Sequence, residues 1–239
     1  MRRTLLAVCF LLLLAGKPAD KRASLFDQLV GFLGVTSTPS ALRGDEQVDI
    51  GEVWVIGVAR GERAQRLTRD GGYRSTVFDL TGDSIFAIRT NELYRIPVDR
   101  KPAAKLYALS GVSKLVGVSR DDPDQLLVVA NDPQGGAFAA VLSIKTGAKT
   151  PIADSTHSDE YRAMLTQLTG WERVYGTTHV YTEDEEKPGA GDSTIEFSDV
   201  YLRRRNDVAL NLTNGNGVSS SQPSLSADGR TVVFIRSTQ

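Results

Sequence analysis

The sequence holds two imidazoles, His157 and His179, 22 residues apart. Neither lies in a His-Glu-x-x-His or His-x-His pattern, the spacings that bring two ring nitrogens onto one metal. His179 falls inside a run with strand character, 177–181. Carboxylates bunch in two places. Asp121-Asp122-Pro123-Asp124 has the composition of a hairpin turn, and Glu183-Asp184-Glu185-Glu186 opens EDEEKPGAGDS (183–193), an expected solvated insertion. Both offer oxygen ligands of the kind calcium takes, and neither has the alternating Asp-x-Asp-x-Asp-Gly loop. No Gly-x-Ser-x-Gly elbow occurs, which argues against a fused serine peptidase. A carboxylate pair for glycoside hydrolysis can be assembled from separate strands, and nothing in linear order marks one. Arg203-Arg204-Arg205 reads as a charged edge that blocks strand pairing, with a phosphate or anionic-lipid contact as the alternative. The expectation is no cofactor and no metal.

The scaffold for this sparse chemistry is ordinary in balance. Of 239 residues, 41% are apolar and 24% charged, and the net charge of −1 gives no reason to expect a nucleic-acid partner. Met1-Arg2-Arg3 followed by a run of apolar residues to Ala15 reads as a secretory leader cut near 15–19, too short for a comfortable membrane span. Retention as an anchor is the alternative, and membrane association is expected only in that case. Cys9 is the single cysteine and lies in the leader, so the mature chain is expected to have no disulfide and no thiolate site. The expected location is periplasmic or secreted, in a bacterium.

After the leader, residues 20–50 read as a short amphipathic helix and an irregular lead-in. Leu25, Leu29, Phe32 and Leu33 share one helical face and Ser24 can cap it. From residue 51 onward short apolar runs alternate with turn residues, and the chain repeats itself. Glu52-Val53-Trp54-Val55, Glu92-Leu93-Tyr94-Arg95 and Asp199-Val200-Tyr201-Leu202 all begin with an acid, an aliphatic and an aromatic. Leu67-Thr68 and Leu212-Thr213 follow the first and last of these. The hairpin TVFDLTGDSIFAIR (76–89) returns 147 residues later as PSLSADGRTVVFIR (223–236). KLVGVSRDDPDQLLVVA (114–130) and FAAVLSIKTGAKTPIA (138–153) supply two further hairpins, and 160–213 a more divergent unit.

Three steps in 147 residues is 49 per step, within the roughly 40–50 of a four-stranded propeller blade. The fold class predicted is therefore all-β: a β-propeller over 51–239, of four blades with four antiparallel strands each. The C-terminal hairpin 222–237 should supply the two inner strands of a blade whose outer strands are 52–58 and 64–68. The ends of the domain then meet in one sheet and close the ring.

The stretch 212–237 resembles the TolB-type propeller repeat: Leu212-Thr213, a Gly-rich loop, Ser221-Gln222-Pro223-Ser224, then Asp228-Gly229-Arg230 and a β run. Asp199-Val200-Tyr201 is similar to that family's Asp-Ile-Tyr strand start. Leu225 stands where the family has Trp, and Ala227 where it has Pro. Residues 66–89 match more loosely, and the two copies together cover about a third of the chain. The resemblance implies an exported propeller and often a binding scaffold. TolB looks like a six-bladed ring behind a separate N-terminal domain, for which this sequence is too short. The repeat specifies turns and strands, and it carries no chemistry of its own.

The functional expectation is a non-enzymatic scaffold that binds a protein or an envelope polymer at the mouth of a central channel. Among the inner-strand loops, 69–75 carries Tyr73 and Arg74, a flat ring beside a planar cation. These two are the candidate ligand-binding residues, with packing of Tyr73 on the neighbouring blade as the competing reading. The alternative function is a small propeller hydrolase or lyase acting on a glycan.

Overall fold

Asp228-Gly229 and Asp79-Gly82 show how the sequence makes its strands turn. Gly229 has φ of 69° and Gly82 of 80°, in the left-handed region where a Cβ is costly. The Asp79 carboxylate accepts the Gly82 N–H at 2.7 Å, and Ser226 Oγ accepts the Thr231 N–H at 3.0 Å. Each turn joins two strands buried on both faces, the composition expected where a sheet is packed between neighbours.

A computed structural model describes residues 50–119, 122–131, 137–152, 172–175, 177–205, 207–215 and 217–237, all within one compact unit, Pro39–Gln239. The leader and the helix expected at 24–33 lie outside the described residues. So do His157 and Asp121.

The described residues form sixteen strands and no helix. They run β1 (Gly51–Gly57), β2 (Gln65–Arg66), β3 (Tyr73–Phe78), β4 (Ser84–Arg89), β5 (Glu92–Pro97), β6 (Ala104–Ala108), β7 (Val112–Val118) and β8 (Gln125–Asn131). There follow β9 (Ala137–Ser143), β10 (Lys149–Pro151), β11 (Glu172–Tyr175), β12 (Thr178–Pro188), β13 (Thr194–Arg204), β14 (Leu210–Asn211), β15 (Ser220–Leu225) and β16 (Thr231–Ser237). All pairings are antiparallel.

They group in fours. β7–β10 and β11–β14 are separate four-stranded sheets, each paired in chain order. The third and largest sheet contains two such quartets, β15-β16-β1-β2 and β3-β4-β5-β6, stitched by the single pair Gly51↔Tyr73. The expected meeting of the two ends is seen in full. β1 lies antiparallel to β16 over all seven residues, with Trp54 opposite Phe234.

The sheets pack face to face through three dry clusters. Val53, Val55, Val233 and Ile235 meet Tyr73, Phe78, Ile85 and Ile96 between the first two quartets. Val77, Phe86, Ile88 and Leu93 meet Leu115, Leu126, Val128 and Leu142 of the β7–β10 sheet. Ile56, Val232 and Phe234 meet Val180, Val200 and Leu202 of the β11–β14 sheet. Alternate residues of β16 therefore serve different neighbours: Val233 and Ile235 one side, Val232 and Phe234 the other.

The described residues do not by themselves show the expected closed ring. Three clusters connect four quartets in series, and among the described residues no core cluster joins the β7–β10 sheet to the β11–β14 sheet. The strand count and the shared terminal sheet follow the repeat. Closure needs a fourth interface, and the part of the chain between β10 and β11 is where the repeat pattern is weakest.

Candidate functional site

Antiparallel order sends the described inter-quartet loops to one end of the array. The loops 67–72, 109–111 and 212–219, the β4–β5 turn at Thr90 and the β12–β13 turn at 189–193 all lie there. Gly51 and Ser237 face each other at the same end. The Asp122/Asp124 turn and Arg204-Arg205 lie at the opposite end, as the strand directions require.

Tyr73, the first residue of β3, is fully buried at this end and paired with Arg89 of β4. Its ring meets the Tyr94 ring edge-on, with centroids 5.7 Å apart. The Arg89 guanidinium lies 5.5 Å from the Tyr73 centroid and 5.9 Å from that of Tyr94, within reach of a cation–π contact. Arg89 Nη1 is 2.6 Å from the Asp70 carboxylate, and the Tyr73 hydroxyl donates to the same carboxylate at 3.4 Å. Burial, and then the Asp70 charge, push the Tyr73 phenol up to about 12. Glu92, opposite Arg89, accepts from Lys105 and from the Tyr94 hydroxyl, and these bonds hold its carboxyl below the usual range.

Arg74 is spent on the protein itself. It donates to the carbonyls of Ser113, of Val112 at 3.2 Å and of Thr90 at 3.3 Å, tying β3 to β7. Burial lowers its guanidinium pKa. One residue on, the Ser75 hydroxyl accepts the Leu115 N–H at 2.7 Å, a second tie across the same boundary. The structure thus places Tyr73 and Arg74 at the loop-bearing end. It places the ring in the core and the cation on three carbonyls.

Arg89 has a counterpart 147 residues later. Arg236 pairs with Glu52 as Arg89 pairs with Glu92. It lies 5.0 Å from the Trp54 ring and 5.5 Å from that of Phe234. Its Nε donates to Ser220 Oγ at 3.2 Å and its Nη2 to the Thr213 carbonyl at 3.4 Å. In two of the three acid–aliphatic–aromatic strand starts, Glu52–Trp54 and Glu92–Tyr94, the acid and the aromatic thus flank an arginine of the neighbouring strand, whereas Asp199 lies opposite Glu183.

The Leu-Thr pairs have an equally local role. Thr68 Oγ1 accepts the Val53 N–H at 2.9 Å, and Thr213 Oγ1 accepts the Val200 N–H at 3.0 Å. Asp199 is buried. It accepts from Thr213 Oγ1 at 2.6 Å, the Gly215 N–H at 2.7 Å and Asn211 Nδ2 at 2.9 Å.

The largest feature at this end was read from sequence as a solvated insertion. β12 and β13 are eleven residues each, paired from Thr178↔Arg204 to Pro188↔Thr194. The pair equivalent to the last rung of β4–β5 is Glu183↔Asp199, and five more rungs follow it. At about 3.4 Å per residue the hairpin extends some 17 Å further than its neighbour. The signal available was TIEFS (194–198), whose polar and apolar residues alternate as in a strand and lead into the apolar Val200-Tyr201-Leu202. The acidic run masked it, because four consecutive carboxylates read as loop.

The remaining sequence candidates have structural roles. Asp122 accepts from the Asp124 N–H and from Gln125 Nε2, and Asp124 pairs with Lys145. Arg203 lies 5.7 Å from the Tyr181 ring, opposite His179. Among the described residues no three acidic, histidine or cysteine side chains gather to hold a metal.

An all-β chain of four-stranded antiparallel quartets, with its loops gathered at one end, is the class these features define. Its fold is similar to a structure assigned to TolB of Agrobacterium tumefaciens, with a TM-score of 0.38, 14% identity, and coverage of 77% of this chain and 60% of that one. It is similar also to TolB from Acinetobacter baumannii, with a TM-score of 0.36, 15% identity, and coverage of 85% and 49%. The AtxE2 isopeptidase gives a TM-score of 0.29 and 10% identity, over 65% of this chain and 28% of that one. The chain spans about half to three fifths of the length of the two TolB chains. No protein-family profile and no curated protein sequence matches it.

Proposed function

We propose that this chain is an exported, non-enzymatic binding scaffold of β-propeller type, which recognises a protein or an envelope polymer with the end that gathers its loops. The observation that carries this reading is the division of labour between the ends of the strands. Strand middles are consumed in three dry interfaces, while Asp70, Arg89, Glu92, Arg236 and the β12–β13 hairpin converge at one end. The leader read from the sequence supports export. Tyr73 and Arg74 belong to this surface as the groups that hold it in shape, the ring beneath Arg89 and the cation across the β3–β7 boundary.

Binding fits this end better than acid–base chemistry. Asp70 is paired with Arg89, Glu52 with Arg66 and Glu92 with Lys105. A general acid needs a carboxyl kept protonated near neutrality, and Glu92 is shifted the other way. The test is retention from a bacterial envelope extract on the immobilised chain, beside Arg89→Glu and Asp70→Lys variants. A reproducible partner lost in the variants supports the reading. Turnover of a glycan panel with no retained partner overturns it in favour of the hydrolase or lyase alternative.

A further inference from the structure

Among the described residues no strand flanks the β12–β13 hairpin beyond Asp199. β11 pairs with β12 only from Thr178 to Tyr181, and β14 pairs with β13 only at Tyr201 and Leu202. The projecting part, 183–188 with 194–198, is therefore a two-stranded ribbon, an arrangement with little stability of its own in water. Its two edges differ. On the β13 side the Val200 N–H is met by Thr213 Oγ1, and the Ser198 N–H by Ser219 Oγ at 3.3 Å. Those N–H groups point away from β12, so Ser198 and Val200 sit in the non-hydrogen-bonded pairs of the ladder. Their cross-strand mates Asp184 and Thr182 must then turn their own N–H and C=O groups outward from β12, and Glu186 does the same by parity. Among the described residues no strand covers this edge beyond Tyr181.

The ribbon's charge is one-sided. Residues 183–198 hold Glu183, Asp184, Glu185, Glu186, Asp192 and Glu196 against a single cation, Lys187. Asp184 accepts from Ser198 Oγ, and Glu185 from the Tyr201 hydroxyl. Glu186 faces Glu196 directly across the ladder, a like-charge pair that disfavours the hairpin. Among the described residues no cation pairs with either.

We propose that the outward edge of β12, from Thr182 to Glu186, is a docking strand for an extended, lysine- or arginine-bearing segment of a partner protein. The segment adds to the sheet as a further strand, in line with β11 and on the side of β12 that β11 occupies. The outward-facing backbone groups supply the hydrogen bonds, as in strand addition generally. The carboxylates on both faces select the occupant. They repel a second copy of the same edge, which is how charged edges avoid self-pairing. They attract a strand with cations, which relieves the Glu186–Glu196 repulsion. This rests on the scaffold reading above and names the kind of partner that surface takes.

The experiment titrates the full chain with a labelled peptide alternating lysine with valine or threonine. Controls are a glutamate counterpart and a lysine peptide N-methylated on alternate residues. Specific binding of the first alone is expected, weakening with added salt. Glu183→Lys/Glu186→Lys should weaken it at least about tenfold. Asp184→Pro, which removes an outward N–H and leaves the β12–β13 ladder bonds in place, should abolish it. Equal binding of the N-methylated peptide, or unchanged binding by Asp184→Pro, overturns strand addition and leaves only charge attraction. No binding of the lysine peptide at low salt overturns the proposal whole. An envelope partner retained equally by wild type and by Glu183→Lys/Glu186→Lys also overturns it, while the scaffold reading stands.

Discussion

Ser75 and Gln222, 147 residues apart, hold the same left-handed backbone angle, with φ of 53° in each. Both lie in bulges of the strands that face the centre of the array, between Arg74 and Thr76 in β3 and between Ser221 and Ser224 in β15. The extra residue sharpens the local twist, and neither site uses glycine. Their side chains separate the two cases. Ser75 Oγ receives a buried N–H from Leu115, whereas Gln222 is tied through its carbonyl, which accepts from Thr76 Oγ1 at 3.4 Å. Gln222→Gly should therefore be neutral or stabilising by up to about 1 kcal/mol, since glycine relieves the φ. Ser75→Gly should destabilise by about 1–3 kcal/mol, because the Leu115 N–H loses its partner. Urea unfolding of the two variants side by side checks the sign of each.

The Leu-Thr motif is open to a matched comparison. Thr68→Val and Thr213→Val each orphan one backbone N–H, of Val53 and of Val200. Thr213 Oγ1 also donates to the buried Asp199, so its loss should cost about 1 kcal/mol more than that of Thr68. Equal losses in thermal unfolding would remove Asp199 from the account. Asp199→Ala, which leaves Thr213, Gly215 and Asn211 without their acceptor, should be the most damaging of the three, at about 3 kcal/mol or more.

Alkaline unfolding should set in late and then steeply. Tyr73 and Tyr107 are pushed up to about 12 by burial, and Tyr201 by its hydrogen bond to Glu185. A phenol whose pKa is raised on folding contributes its full stability below the ordinary value of 10.0. That contribution is lost as pH rises through about 12. Stability should thus hold to about pH 10 and fall between 10 and 12. Tyr73→Phe should shallow that fall and leave stability at pH 7 within about 1 kcal/mol of wild type. Tyrosinate absorbance followed through a pH jump reads both. Ordinary titration of Tyr73 near 10 would contradict its burial.

The shared terminal sheet depends on close packing at two positions. Phe234 is fully buried between Trp54 of the adjacent strand and the β11–β14 sheet, so Phe234→Ala should cost about 3–5 kcal/mol. A Cβ on Gly51 would run into the Arg236 carbonyl, so Gly51→Ala must push apart the first rung of β1 and β16. A cost of about 1–3 kcal/mol is expected. If hydrogen exchange in β16 were unchanged by Gly51→Ala, the two strands would not be packed as described.

Legibility of the fold followed the strength of the repeat. TVFDLTGDSIFAIR and its copy fixed two hairpins because apolar alternation and a Gly turn coincide there, and the paired termini followed from counting strands. Ring closure was not legible, since an interface between quartets is a tertiary relation that leaves no local pattern. The loop-bearing end was legible as a place and not as a set of side chains. Tyr73 and Arg74 were singled out for their chemistry, and sequence has no way to show that the ring points inward or that three carbonyls surround the cation. Arg89 and Arg236 were aligned by the repeat and read only as strand residues, because the aromatic faces beneath them come from other strands.

The register of the first and last strands also has a mechanical meaning. Gly51 and Ser237 are opposite one another, so tension applied at these two residues acts across a single rung at a time. The pair would peel like a zipper under a small, steady force, and peeling would strip both dry interfaces served by β16. A tether attached ahead of β1 and a load attached after β16 would leave side by side, so a pull between them would open this seam rung by rung rather than shear it.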